Sequence, residues 1–340
     1  RFGRRPVLLI GLLVYAAFGL LAAFAGTFET MMVARVMQGV GAAATRVLAV
    51  SIVRDCYSGP KMARVMSLTF IVFLAVPIAA PSLGQLIGLF APWPWLFGVL
   101  AAFGMAVYLW VLLRLPETMH PEDRLPIQFG RIAAAFKLTL SNRTAVGYML
   151  AMTVMLGSLF GFINSAQQVF ATTFKAPLIF PAIFGLVALV MAISSLLNSR
   201  IVERLGMRRV SHLALFGYVA AAVIHAAVAW FGSENLWTFA VLQSSMMFCF
   251  GLVVSNFGSM AMEPLGHVAG TASSVQGFVT TFGGALLGFF IGQHFDGTAL
   301  PMTLGFALCG VAALVIVVLT EKGRLFQHDR APSGDASFAH

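Results

Sequence analysis

This sequence has little charge, and its acidic residues stay out of its apolar runs. Only 10% of the 340 residues are Asp, Glu, Lys or Arg, against about 25% in an ordinary soluble domain. All 12 acidic residues fall between the apolar runs, at their ends or in the C-terminal tail. A water-soluble fold is excluded, because one core of this size could not hide a chain that is 59% hydrophobic. Cysteine is equally sparse. Cys56, Cys249 and Cys309 are scattered, with no metal-ligand or paired-disulfide spacing, so they read as reduced structural residues, and neither a metal nor a cofactor is expected. No His, Asp and Glu cluster lies near one face, as a membrane enzyme would require. The net charge of +9 comes without a basic run interleaved with aromatics, which argues against a nucleic-acid partner.

What is present is apolar sequence in long blocks, with a mean hydropathy of +0.91. The blocks run to about 18 residues or more, enough to cross roughly 30 Å of hydrocarbon as a helix. A membrane β-barrel would show short stretches of alternating polarity instead. The reading is an all-α integral membrane protein with the lipid bilayer as its solvent. Ten spans are expected, near 6–25, 30–53, 65–90, 95–114, 145–169, 177–199, 210–231, 237–262, 267–293 and 300–320. Residues 1–114 then form one half with four spans, and 115–144 a charged linker. Residues 145–320 form a second half with six spans, and 321–340 a polar, disordered tail.

Basic residues set the orientation. With the first arginines in the cytoplasm, Lys175 alone falls outside and Arg35 and Arg46 lie within a span, so 18 of the 21 Lys and Arg are cytoplasmic. Both ends of the chain are expected on that side. The outer loops carry Glu29, Glu234, Asp296 and the interfacial turn Pro92-Trp93-Pro94-Trp95. An internal repeat relates Arg1-Phe2-Gly3-Arg4-Arg5-Pro6-Val7 to Arg204-Leu205-Gly206-Met207-Arg208-Arg209-Val210, and Ala63–Ser67 is weakly echoed by Ala269–Ser273. Parallel repeats of six spans mark one large transporter class. Four spans against six, and a first residue that lies inside a basic loop, predict two further spans before Arg1.

Several motifs carry a family resemblance. The Gly3-Arg4-Arg5 loop resembles the second half of the signature loop of the major facilitator superfamily. Arg35-Val36-Met37-Gln38-Gly39 is similar to the Arg-x-x-Gln-Gly motif of proton-coupled drug exporters. The stretch Pro77 to Gly84 is similar to the antiporter motif Gly-Pro-x-x-Gly-Gly, departing from it at Ala80 and Gln85. The paired prolines Pro77 and Pro81, Arg54-Asp55-x-Tyr57 and His267–Ser274 look most like the bicyclomycin-resistance branch of drug:proton antiporters. The resemblance covers Arg1 to about Thr320. It implies a major-facilitator fold with ten of its twelve helices present, alternating access, and efflux of drugs or hydrophobic small molecules across the bacterial inner membrane. The partners it implies are protons and a small amphipathic substrate, with the protein acting as a monomer.

Within that frame, Arg35 and Gln38 are the proton-coupling candidates. A structural arginine hydrogen-bonded to carbonyls remains the alternative. Gly3, Arg4, Arg5 and Asp55, with Glu203, Arg208, Arg209 and Glu263 in the second half, are candidates for a conformational gate. Pro77, Pro81 and Gly84 suggest a bent antiporter helix, with ordinary kinked packing as the other reading. Arg46, Asn164, Gln168, Gln243 and Asn256 are candidate cavity residues, although such polar side chains also serve as interhelical hydrogen bonds. His225 reads as structural. Gly277, Gly284, Gly288 and Gly292 read as a close-packing face. Two other functions stay open: a facilitator-fold transporter of a specific metabolite, such as a sugar or amino-acid derivative, and an inactive truncated product.

Overall fold

The computed structural model describes residues 3–57, 65, 76, 79–118 and 129–326. Those residues form helices and connecting turns. Nine of the helices are long and apolar enough to cross a membrane. The chain divides into two compact units, Arg1–Gln128 and Phe129–His340.

Unit 1 contains α1 (Arg4–Ala23), α2 (Phe28–Cys56), the short apolar α3 (Ala79–Phe90) and α4 (Trp95–Arg114). The expected third span, 65–90, is described mainly over its last turns. Pro77 lies outside the described residues. Local sequence explains the ends of α2: the Thr27 hydroxyl accepts the Thr30 N–H at 3.2 Å as an N-cap. Helix α1 packs between α2 and α4. It approaches α2 closely because both sides are glycine: a Cβ at Gly41 would lie 2.6 Å from the Gly11 carbonyl and 2.7 Å from the Tyr15 nitrogen. Large apolar side chains such as Val33, Val36, Val40 and Leu113 remain exposed, a surface that only lipid or protein would cover favourably.

Unit 2 contains α5 (Phe129–Ser141), α6 (Arg143–Gln168), which continues as a π turn Val169–Thr173, α7 (Phe180–Leu205), α8 (Met207–Trp230), α9 (Leu236–Met262), α10 (Ala269–Gln293) and α11 (Leu300–Thr320). Asn142 caps α6, and Asn235 with Thr238 builds a capping box on α9. Helix α6 is the hub, with α9, α10 and α11 packed against it. Its core includes Tyr148, Met155 and Phe170 with Tyr218, Phe239, Met247 and Phe306.

The α6–α10 crossing is glycine-lined from both sides. Cβ atoms at Gly157 and Gly161 would press on Leu287 and Ile291, while those at Gly284 and Gly288 would meet Leu156 and Phe160. Gly292 faces Asn164. Gly277, expected in the same stripe, has open space around it. Helix α5 occupies part of the expected linker. The expected disordered tail is described from Glu321 to Phe326, where it packs on α8: the Phe326 backbone N–H donates to His212 Nδ1 at 3.2 Å.

Candidate gating and coupling sites

The basic end of unit 1 is organised by the start of α1. Gly3 caps the helix at φ 89°, a conformation that favours glycine, and a Cβ there would also collide with Glu117. The Glu117 carboxylate accepts the Arg4 N–H at 2.8 Å and the Arg5 N–H at 3.3 Å. It thereby sets a negative charge on the positive end of the helix dipole. The Arg4 Nε in turn donates to Asp55 Oδ2 at 3.0 Å, and Arg5 Nη2 donates to the Leu112 carbonyl at 2.8 Å. Gly3, Arg4, Arg5 and Asp55 are therefore brought together.

Unit 2 repeats the arrangement around α8. Gly206 takes φ 81°. Arg208 reaches Glu263 Oε2 at 3.3 Å through Nη2 and Glu321 Oε1 at 3.2 Å through Nε. Arg208 and Glu321 are 113 residues apart, as are Arg4 and Glu117. The structural repeat thus pairs Arg4 with Arg208, one residue out of register with the Gly3–Gly206 motif. Glu321 extends inward: Tyr148 Oη donates to it at 2.6 Å, and Tyr148 Oη lies 3.1 Å from His212 Nε2. Because His212 Nδ1 accepts from Phe326, its neutral ring carries hydrogen on Nε2, so hydrogen bonds run from His212 through Tyr148 to Glu321. Glu203 and Arg209 are exposed at the ends of their helices. Sequence reasoning missed Glu117 and Glu321 as site residues. Both directly follow a span in the Leu-x-Glu pattern, 115–117 and 319–321, a signal available had the repeat been followed further.

Arg35 sits on α2 with its Nη1 donating to Gln38 Oε1 at 2.5 Å and its guanidinium 5.0 Å from the centre of the Phe97 ring. Gln38 is 2% exposed, and its Nε2 has no hydrogen-bond partner among the described residues. Gly19 of α1 presses on that amide, because a Cβ there would lie 2.7 Å from it. An amide and a ring therefore hold Arg35, and neither neutralises its charge. Arg46, on the same helical stripe, is exposed. Pro81 and Gly84 lie in α3, and a Cβ at Gly84 would meet open space.

The candidate cavity residues separate by environment. Asn164 and Gln168 are exposed on α6. Gln243 is fully buried, and neither end of its amide has a hydrogen-bond partner among the described residues. Asn256 is occupied by helix pairing: its Nδ2 donates to Asn198 Oδ1 and to the Leu252 carbonyl, each at 2.8 Å. Asn198 Nδ2 donates back to Asn256 Oδ1 at 3.5 Å and to Ser255 Oγ at 3.2 Å. Ser194 Oγ donates to the Phe248 carbonyl nearby. A double-mutant cycle of Asn198→Ala and Asn256→Ala, read by thermal unfolding, is expected to show a coupling of about 0.6–1.7 kcal/mol. A coupling near zero would return Asn256 to the cavity candidates. At the opposite end of unit 2, buried His225 meets Glu234 with Nε2 and Oε1 2.6 Å apart.

Comparison with known proteins agrees with this architecture. A family model described as Major Facilitator Superfamily matches residues 1–288. A bicyclomycin resistance protein homolog of Haemophilus influenzae is 29% identical over 320 residues, covering 92% of this chain and 79% of that protein. The multidrug resistance protein MdtL of Shewanella oneidensis is 28% identical over 333 residues, covering 94% and 79%. Among solved structures, a mutant of the nucleoside transporter NupG superposes with a TM-score of 0.71 at 17% identity, covering 94% of this chain and 83% of that one. At that identity the likeness concerns the fold.

Proposed function

This chain belongs to the Major Facilitator Superfamily, and from that premise we propose that it exports drugs or hydrophobic small molecules across the bacterial inner membrane in exchange for protons, by alternating access. The observation that carries the reading is Arg35. A cation within a membrane span, held among the described residues by an amide and an aromatic face, retains a field able to act on a neighbouring proton carrier or on a charged substrate. Intramembrane charges of this kind mark ion and substrate pathways. The names of the relatives support the substrate class, since bicyclomycin and multidrug resistance proteins align over most of the chain.

The two glycine-capped ion-pair clusters take the gating role in this scheme. Each joins the start of one helix to the ends of two others, so breaking it frees three elements at once. The individual pairs are partly exposed, and exposed pairs are worth about 0–1 kcal/mol. Such energies suit a contact that must break in every cycle. In this reading both clusters face the cytoplasm, as the positive-inside rule requires, and the protein acts as a monomer.

Efflux from cells expressing the transporter provides the test. Accumulation of a fluorescent amphipathic drug is expected to rise severalfold when a protonophore collapses the proton gradient. Equal accumulation with and without protonophore would point instead to a facilitator that is not proton-driven.

A further inference from the structure

Unit 2 has a cleft of about 380 Å³ where the ends of α5, α6 and α11 meet. Ser141, Arg143 and Thr320 form its polar rim, and Leu150, Ile316 and Leu319 form its apolar wall. Leu150 and Leu319 are 42% and 64% exposed, on helices long enough to span the bilayer, so the wall lies where acyl chains run. The rim lies at the membrane end of the same helices, at headgroup depth.

The chemistry of the rim is cationic. One Nη of Arg143 donates to the Leu319 carbonyl, which ties the guanidinium across the end of α11 and leaves the rest of its five donor hydrogens. The Ser141 and Thr320 hydroxyls donate to the Lys137 and Ile316 carbonyls, so neither offers its hydrogen to a ligand. Lys137 is exposed one turn before Ser141, on the same face of α5. Helix α5 has 13 residues, too few to span, and it exposes Phe136, Leu138 and Leu140 beside Lys137, as an interfacial helix does. No acidic residue occurs between Asp123 and Glu203. The nearest acid along α11, Glu321, is engaged by Arg208 and Tyr148.

We propose that this cleft binds an anionic phospholipid of the surrounding bilayer. Arg143 and Lys137 take the phosphate, and the wall of Leu150, Ile316 and Leu319 takes one acyl chain. A zwitterionic lipid would bring an ammonium group to a rim with no available carboxylate among the described residues. A soluble phosphate would leave the apolar wall unused. Cations at a membrane surface attract anionic lipid with a strength of about fivefold in affinity per residue.

Native mass spectrometry of the full chain in mild detergent tests the site directly, with no dependence on transport. Phosphatidylglycerol and phosphatidylcholine with the same acyl chains are titrated in parallel, with glycerol phosphate as the chainless probe. Phosphatidylglycerol is expected to bind about tenfold or more above phosphatidylcholine, and glycerol phosphate to bind negligibly. Lys137→Gln, at an exposed site that leaves folding intact, should weaken phosphatidylglycerol about fivefold, and Lys137→Gln with Arg143→Gln should remove the preference. Equal binding of the two lipids, an undiminished preference in the double variant, or glycerol phosphate binding as tightly as the lipid would each overturn the proposal. Lipid selectivity that persists while drug efflux proves insensitive to protonophore would separate this site from the transport reading.

Discussion

Arg35→Ala is expected to reduce proton-driven efflux to the background of untransformed cells, while the amount of protein in the membrane stays the same or rises. Insertion should benefit because an arginine costs about 2.5–3.5 kcal/mol at the centre of a span on insertion scales and less near its end, where Arg35 lies, and alanine removes that smaller cost. Folding should tolerate the change, because Arg35 is exposed within unit 1 and, among the described residues, its side chain bonds Gln38 alone. Function should not tolerate it, because the substitution removes the intramembrane cation on which the proposed coupling rests. Arg35→Lys is expected to restore only part of the activity. A lysine keeps the charge but lacks the planar group that bonds Gln38 while lying over Phe97. The measurement is drug efflux together with proton release on drug addition. Normal efflux by Arg35→Ala at normal expression would remove Arg35 from the coupling mechanism.

Gly288→Leu is expected to abolish folded protein, and Gly288→Ala to destabilise it by about 2–3 kcal/mol. A Cβ at this position would lie 2.7 Å from the Phe160 carbonyl carbon and 2.8 Å from the Gly161 nitrogen, and would also meet the Phe160 Cβ. These are backbone atoms and a Cβ, so no flexible side-chain tip can move aside. The axes of α6 and α10 would have to separate, and the contacts of Leu287 and Ile291 with Gly157 and Gly161 would loosen with them. Helix association in lipid depends on such close approach, because the apolar solvent offers no hydrophobic drive. Gly277→Ala on the same helix supplies the comparison. Its surroundings are open, and the change should stay within about 0.5 kcal/mol. Thermal unfolding in detergent reads both. Equal stability of the two alanine variants would show that the α6–α10 crossing does not rely on Gly288.

These positions show how far sequence reading reached. The stripe Gly284, Gly288 and Gly292 was legible from its four-residue spacing, which places glycines on one helical face. That Gly277 falls off the contact was not, because spacing marks a face and not how far along it the partner helix stays close. The loops at Gly3 and Gly206 were legible as a repeat, and both prove to be positive-φ helix caps. Glu263 was legible as a gate candidate, but the second partner of Arg208, Glu321 in place of the nearby Glu203 as a described partner, was not, since it depends on where α11 ends in space. For the same reason Asn256 looked like a cavity residue. Only the facing Asn198, 58 positions away, shows that its amide is already used between α7 and α9.

By itself the sequence determined the solvent, the helical class, the family and nearly every span. These properties follow from apolar content summed over about 20 residues and from short motifs, and both are local in the chain. Only the tertiary structure decided which charges meet, which glycines bear a crossing and which amides are already bonded. Those outcomes depend on how each helix is rotated about its axis and on contacts between positions as much as 176 residues apart. Arg35 shows both levels. Its cost in lipid and its bond to Gln38, three residues along α2, belong to one helix, but its place over the Phe97 ring required α1 to bring α2 and α4 within reach of each other.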